Sequence, residues 1–493
     1  MDRQNLEHLP AGVLGPRYRR SDVISGIAHI GVGAFHRAHL AVYMERCLAD
    51  ADQGGWGVLG INLLERDAEL AAGLRLQDNL YSVTEFAPDG GSVVRVVGAM
   101  VEHVYAPDDP AGLLARLVDP SIRIVSLTIT EGGYLLDAKN RFRLDDEGVM
   151  HDLAHPQAPC TVFGFVVGAL AARRAAGLPP FTVMSCDNLR HNGDQARRAF
   201  VAYAKAHSPE LAAWIEDRVD FPNAMVDRIT PAMTIERRDQ LNAADGLDDL
   251  VPVVCEDFIQ WVIEDRFRHG RPAWERHGVQ MVDDVTPYEE AKIRLLNGAH
   301  QMLSYPAYLA GHRQVDLAMA DPLFRDYLRD FLELDAGVWL QSLPGMELSD
   351  YRHKLLQRFA NPAIADQLER LCQDGGSKIP GFLQPTLDAC LSTARDARRL
   401  AFLLACFDRY VRVARDDLMQ PCPLREPNAM QRIQPMLDEG SPMALLQSVE
   451  LAGCHAAADR GFVAQYLACV DSLERHGVRE TLRSLHSLPE ACA

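Results

Sequence analysis

The chain has 493 residues, with 50 Lys+Arg against 68 Asp+Glu for a net charge of −18, and 48% of its residues are apolar. That length leaves room for two or three domains and excludes a small binding module, while the apolar share excludes a wholly disordered or fibrous chain. The acidic balance repels a polyphosphate backbone, so nucleic acid is not an expected partner, and an anionic ligand needs a local basic pocket.

Reading from the start, the first 20 residues lack the apolar core of a signal peptide, and no window offers eighteen uninterrupted apolar residues. A cytoplasmic protein without a membrane partner is expected. Residues 26–30 read as a first strand, residues 38–49 as a helix and residues 57–62 as a second strand. Further strands are expected at 93–97, 122–129, 181–186 and 251–255, an alternation of strand and helix typical of a parallel sheet with crossover helices. From about residue 286 long amphipathic stretches dominate, at 288–303, 322–334, 387–414 and 442–476, and strand signals nearly vanish. The expected architecture is therefore α/β: a Rossmann-type domain over 1–285 that binds NAD(P), followed by a mostly α-helical substrate and catalytic domain over 286–493. A loop is expected at 421–427. The eleven cysteines are odd in number, scattered and without a CxxC pair, which suggests reduced, mostly buried thiols and no zinc site.

Directly after the first strand, which ends at Ile30, stands Gly31-Val32-Gly33-Ala34-Phe35-His36, a GxGxxx turn leading into a helix, and residues Ile30 to His36 are the candidates for cofactor contact. Glycines let a backbone approach a pyrophosphate closely, and a helix N-terminus offers it N–H donors. His36 occupies the place of the third glycine. An acidic side chain after the second strand accepts hydrogen bonds from ribose hydroxyls and repels a 2′-phosphate, so Glu65 first and Asp67 second favour NAD over NADP. Arg66 between them argues the other way. Thr130 and Glu131 follow the fourth strand, where open α/β sheets bind ligands, and are candidates for the nicotinamide half.

The stretch from Tyr288 to His300 is the most informative. At about 100° per residue, Glu289, Lys292, Asn297 and His300 fall within an arc of about 140°, which gathers a carboxylate, an amine, an amide and an imidazole. An Asn-Gly pair inside a helix is locally unfavourable and points to a site that tolerates that cost. Tyr288 and Lys292 also form a YxxxK pair, the arrangement of short-chain dehydrogenases, although it lies beyond the expected Rossmann half.

Taken with Thr128 to Tyr134, Ser185 to Leu189, Val226 to Pro231, Glu256 to Asp265 and Ser377 to Phe382, these segments resemble the polyol-specific long-chain dehydrogenases, the mannitol dehydrogenase family. The resemblance runs from about residue 25 to about 400. It implies metal-free hydride transfer between NAD(P) and a secondary alcohol, with Lys292 as general base, Asn188 and Asn297 as amide donors to the reacting oxygen, His300 as a hydroxyl contact and Glu289 as a proton-relay carboxylate. Asp227, Arg370 and Lys378 would read the remaining hydroxyls. An amine partly desolvated beside a cofactor cation gives up its proton more readily, as a base must. The expected substrate is a linear polyol such as mannitol, arabinitol or sorbitol, oxidised to a ketose by a monomer or small homo-oligomer. A hexuronate reductase of the same family is the alternative, and a non-catalytic NAD-binding sensor a distant one.

Overall fold

The computed structural model describes residues 6, 8–137, 140–426, 430–453 and 455–487. The chain divides into two compact units, residues 1–87 with 91–286, and residues 88–90 with 287–493.

The first unit is built on a parallel sheet of five strands: β1 (Ser25–Ile30), β2 (Gly57–Asn62), β3 (Met100–Tyr105), β4 (Ile124–Leu127) and β5 (Thr182–Ser185), in the spatial order β3-β2-β1-β4-β5. Side chains alternate between its faces. Ala28, Ile30, Leu59, Ile61, Val125, Leu127 and Val183 enter one apolar core, and Ile27, Val58, Ile124 and Met184 enter the other. Burial on both faces explains why these strands read as continuous apolar runs. The order is that of a nucleotide-binding Rossmann half, in which ligands lie outside the carboxyl ends of the strands where the order reverses, here at β1 and β4. Two smaller sheets complete the unit, one ordered Val13–Leu14, Ser92–Val97, Tyr81–Phe86, Val253–Glu256, the other Gln280–Val282, Gln260–Glu264, Ala224–Asp227.

The expected helix over 38–49 is corrected. A five-residue helix, Ala34–Ala38, ends at His39, and a second, Leu40–Cys47, follows at once. His39 leaves helical geometry at φ −116°, ψ −88°, and its Nε2 donates to the Gln260 carbonyl at 2.9 Å.

The second unit is helical. Arg398–Val413 packs along both Gly298–Leu309 and Arg460–Ser487, and no named strand occurs there among the described residues. The expected run over 387–414 is two helices, Gln384–Ser392 and Arg398–Val413, parted where Ala394 takes φ 56°. The run over 442–476 is likewise broken, into Met443–Gln447, Val449–Ala452 and Arg460–Ser487, with Gly453 at φ 83° after the second, and the last is itself two helices that meet at Gly477, which leaves helical geometry at φ 74°, just past the expected end. Residues 421–426 carry neither helix nor strand, and Pro427 lies outside the described residues. Every described cysteine except Cys160 is buried, and none is in a disulfide. Among the described residues, no helix is long and apolar enough to cross a membrane.

Candidate functional site

In the first unit the glycine turn is held from beneath. Gly31 has φ 99°, and a Cβ there would stand 2.1 Å from the Thr128 carbonyl oxygen, so only glycine fits. A Cβ on Gly33 would meet nothing nearer than the Gly31 oxygen at 3.8 Å, which leaves the backbone open on that side to a close-lying group. The Thr128 hydroxyl donates to the Gly31 carbonyl at 2.7 Å, which fixes its oxygen as the acceptor of His29 Nε2–H at 2.9 Å; His29 Nδ1 then accepts from Ser126 at 2.8 Å. Burial pushes the His29 imidazole down to about 3, so the ring stays neutral and the relay keeps one sense.

His36, expected to touch the cofactor, packs inward. It is 1% exposed, stacked on His29 with centroids 3.5 Å apart, and burial keeps it well below the ordinary imidazole range. Ile30 and Val32 are likewise buried, and residues 31 and 33–35 are half-buried. At the end of β2, buried Asn62 donates to both the Val32 carbonyl, at 3.2 Å, and the Asp67 carboxylate, at 3.0 Å. Asp67 is therefore tied to the turn, whereas Glu65 and Arg66 are exposed.

A second network joins three segments that are distant in sequence. The Asp187 carboxylate accepts from the amides of Ile129 and Thr130, at 3.1 and 2.8 Å, and from the Tyr134 hydroxyl at 2.7 Å. The Asn192 side chain donates to the Asp187 carbonyl at 3.0 Å and pairs with both backbone groups of Ala224 at 2.8 Å, at the start of the strand that ends in Asp227. Thr130 and Glu131, exposed Asn188 and buried Asp227 are thus carried by one hydrogen-bonded frame. Burial raises the Asp187 carboxyl, while Tyr134 and the two amides work against that rise. Thr130 sits at φ 63°, ψ 168°, a region populated almost only by glycine, at a cost of roughly 1–3 kcal/mol. Neither Asp187 nor this strain was anticipated. The only sequence signal was the place of Asp187 beside Asn188 at a strand end.

In the second unit the helix bearing Lys292 is not uniform, which corrects the even angular spacing expected for it. Thr286–Lys292 is α-helical, Ile293–Asn297 is a π turn, and Gly298–Leu309 is α-helical again. In an i→i+5 turn, residues five apart come one above the other, so Asn297 lies nearer the line of Lys292 than an α-helix allows. Single π turns inside α-helices occur frequently at functional sites. Gly298 has a packing reason as well, since a Cβ there would stand 3.3 Å from the Phe331 ring.

Lys292 is only 8% exposed and Glu289 4%, unlike the snorkelling lysine usual on a helix surface. Tyr288 is also buried, and its hydroxyl donates to the Pro344 carbonyl at 2.8 Å while burial raises its pKa. Both effects oppose a proton-accepting role for Tyr288 and weigh against the YxxxK reading. His300 stacks on Phe359 with centroids 4.2 Å apart and lies in the field of buried Asp366.

Asp366 grips Arg370 by two bonds of 2.9 and 2.5 Å, and the Arg370 side chain is 56% exposed. Lys378 donates to the carbonyls of Arg370 and Leu371 at 3.2 and 3.3 Å, and burial, followed by the Arg370 charge, lowers its pKa. His300 and Arg370 thereby share Asp366, and Lys378 lies against the main chain of Arg370. The stretch after Pro421, featureless in sequence, has a structural part: Glu426 accepts from the Gly375 and Gly376 amides at 2.8 and 3.1 Å, capping the helix Gly375–Phe382 that carries Lys378.

Elsewhere, His151, Asp152 and Cys160 lie within 4.8 Å of one another, a grouping with the ligand types of a metal site. Both Asp152 oxygens are already engaged, by the amides of Cys160 and Thr161 and the Thr161 hydroxyl at 2.8, 2.9 and 2.6 Å. Partial desolvation, followed by the adjacent Asp152 carboxylate, pushes the exposed Cys160 thiol up to about 12. The group braces the start of the helix Val162–Ala175.

Residues 25–276 match the model of the mannitol dehydrogenase Rossmann domain, and residues 284–474 that of the mannitol dehydrogenase C-terminal domain. The chain is 49% identical over 408 residues to the polyol:NADP oxidoreductase of Gluconobacter oxydans, covering 82% of this chain and 84% of that protein. It is 40% identical over 486 residues to the mannitol 2-dehydrogenase of Phaeosphaeria nodorum, covering 98% and 85%. Among solved structures it is similar to Pseudomonas fluorescens mannitol 2-dehydrogenase in ternary complex with NAD and D-mannitol, at 44% identity and a TM-score of 0.88 over 99% of this chain and 100% of that one. With both domain models matched in order and full-length relatives at this identity, the chain belongs to the mannitol dehydrogenase family of oxidoreductases.

Proposed function

We propose that the chain oxidises a linear polyol to a ketose at one secondary alcohol, reversibly, with NAD as its nucleotide and Lys292 as general base. The observation that carries this reading is the buried amine of Lys292 set immediately before the π turn that ends at Asn297. The nucleotide belongs to the first unit, where Gly31, Gly33 and the residues from Ile30 to Phe35 form the turn, with Glu65 and Asp67 toward the ribose and Thr130 and Glu131 toward the nicotinamide half. The fit rests on the turn itself, which tolerates no Cβ at Gly31 and leaves open space at Gly33. NAD, when bound, supplies the hydride acceptor for the alcohol carbon.

The chain's own part is proton transfer and charge stabilisation. Lys292 Nζ takes the hydroxyl proton as the carbonyl forms, and Glu289, one turn earlier, passes it onward. The Asn188 and Asn297 amides donate to the oxygen on which negative charge develops, which is stabilisation by fixed dipoles without a metal. His300 holds a neighbouring hydroxyl, and Asp227, Arg370 and Lys378 read the others. A neutral polyol is favoured over a ketouronate because Arg370 is already forked onto Asp366 and Lys378 is turned to two carbonyls. NAD is favoured over NADP by Glu65 and Asp67, although the Gluconobacter relative is named for NADP.

The test is a panel of mannitol, arabinitol, sorbitol and their ketoses beside fructuronate, each with both nucleotides. The expected result is the highest kcat/KM for a polyol with NAD. A ketouronate turned over preferentially would refute the substrate reading, and a preference for NADP would make Arg66 the dominant group at the ribose.

A further inference from the structure

Thr130 is β-branched yet occupies backbone space populated almost only by glycine, at φ 63°, ψ 168°. A residue persists there only when its surroundings over-determine it. Here the constraint can be named. The consecutive amides of Ile129 and Thr130 donate to different oxygens of Asp187, Ile129 to Oδ2 and Thr130 to Oδ1. Oδ2 also takes the Tyr134 hydroxyl, which meets Ser185 Oγ at 2.6 Å. Asp187 is 7% exposed, so its charge is satisfied by these donors rather than by water, and its main chain is pinned through Asn192. The next residue is Asn188.

We propose that Asp187 is a positioning residue: it holds Thr130 in the strained conformation and, as the backbone neighbour of Asn188, sets the loop after β4 and that amide as one unit. This rests on the roles given above to Thr130 and Asn188. Asp187 itself touches no substrate in this scheme. A carboxylate is needed because two acceptor oxygens must face two backbone donors at once; an amide of the same shape has one oxygen and turns an NH2 toward the second donor. Without the carboxylate, the loop relaxes to a conformation a threonine prefers and the reacting groups lose alignment, whereas a glycine at 130 removes the reason to relax.

The experiment is a double-mutant cycle on the full-length enzyme with Asp187→Asn, Thr130→Gly and both together. Asp187→Asn is expected to lower kcat about tenfold to a hundredfold, the scale of a misplaced reacting group. Thr130→Gly is expected to act at least about fivefold more favourably in the Asp187→Asn background than in wild type, which is the coupling a shared strain requires. Effects that multiply independently, or an Asp187→Asn enzyme with wild-type kcat, would overturn the proposal.

Hydrogen exchange of the segment spanning residues 124–136 gives a readout that needs no turnover. The amides of Ile129 and Thr130 should exchange at least about tenfold faster in Asp187→Asn than in wild type, and unchanged exchange also overturns the proposal. A wild-type enzyme inactive on every polyol would instead refute the function proposed above and leave the exchange result standing. Should Asp187→Asn not accumulate as folded protein, the double variant, relieved of the strain, is expected to do so. A double variant equally unfolded counts against the proposal.

Discussion

Replacing Lys292 by Ala and Tyr288 by Phe separates two mechanisms that share one helical turn. Tyr288 loses a single hydroxyl, whose bond runs at 2.8 Å to the carbonyl of exposed Pro344. One such bond is worth about 1 ± 0.5 kcal/mol of stability, so Tyr288→Phe is expected to lower the unfolding midpoint slightly and leave turnover within about twofold of wild type. Lys292→Ala removes the proposed base, a loss of roughly 10² to 10⁴ in rate, or about 3–5 kcal/mol of barrier at 1.36 kcal/mol per decade. The two changes thus register in different quantities, one in stability and the other in the barrier. Steady-state oxidation of the preferred polyol, NADH binding by fluorescence and thermal denaturation would be measured side by side. NADH affinity should survive in both variants, because the glycine turn belongs to the first unit. Exogenous primary amines should restore part of the Lys292→Ala rate, increasingly as pH rises and more free amine is available. A near-normal Lys292→Ala enzyme beside a dead Tyr288→Phe enzyme would refute the reasoning.

Two further predictions follow from the remaining geometry. Asn188→Ala and Asn297→Ala should each lower kcat on the order of 10² to 10³, the scale of one oxyanion donor, with less effect on NADH affinity; collapsed affinity with intact turnover would assign the amides to the nucleotide instead. The third variant is Glu45→Gln. Burial pushes the Glu45 carboxyl from 4.5 up to about 7, despite donors from Tyr18 and the Gly98 amide, each at 2.7 Å. Because the folded value lies above the unfolded one, the stability this group contributes is complete below pH 4.5 and is lost as pH rises through about 7. The loss is on the order of 3 kcal/mol. The stability of Glu45→Gln relative to wild type should therefore increase across that window, and parallel pH profiles for the two proteins would contradict this assignment.

The central sheet was legible because its strands are buried on both faces: residues 57–62 carry no polar side chain until Asn62, and the run stands out from its surroundings. The edge strand Met100–Tyr105 was missed for the complementary reason, since Glu102 and His103 interrupt it. Glu102 is balanced there by Arg116 at 2.7 Å and Ser25 at 2.7 Å, partners that no local pattern reveals. The glycine turn was visible as spacing, but its support was not, because Thr128 and Ser126 act through His29 from nearly a hundred residues away in the chain. Lys292 and Asn297 were singled out on a wheel that assumes one constant rotation per residue. The widened turn breaks that assumption, and only the backbone shows that it brings the two residues closer than the wheel allowed.

The π turn over Ile293–Asn297 is, in genetic terms, a one-residue insertion accommodated inside a continuous helix. Removing any one of those five residues would let the backbone close into an ordinary α-helix, so folding alone need not oppose the deletion. Because an i→i+5 turn spends five residues on about the rotation that an α-helix spends four on, everything beyond the deletion would keep its facing, with His300 still against Phe359 and Gly298 still at the ring of Phe331. A single-residue, reading-frame-preserving deletion within residues 293–296 should accordingly survive in a selected library more often than the same deletion in the flanking α-helical segments, where no widened turn absorbs the change of register.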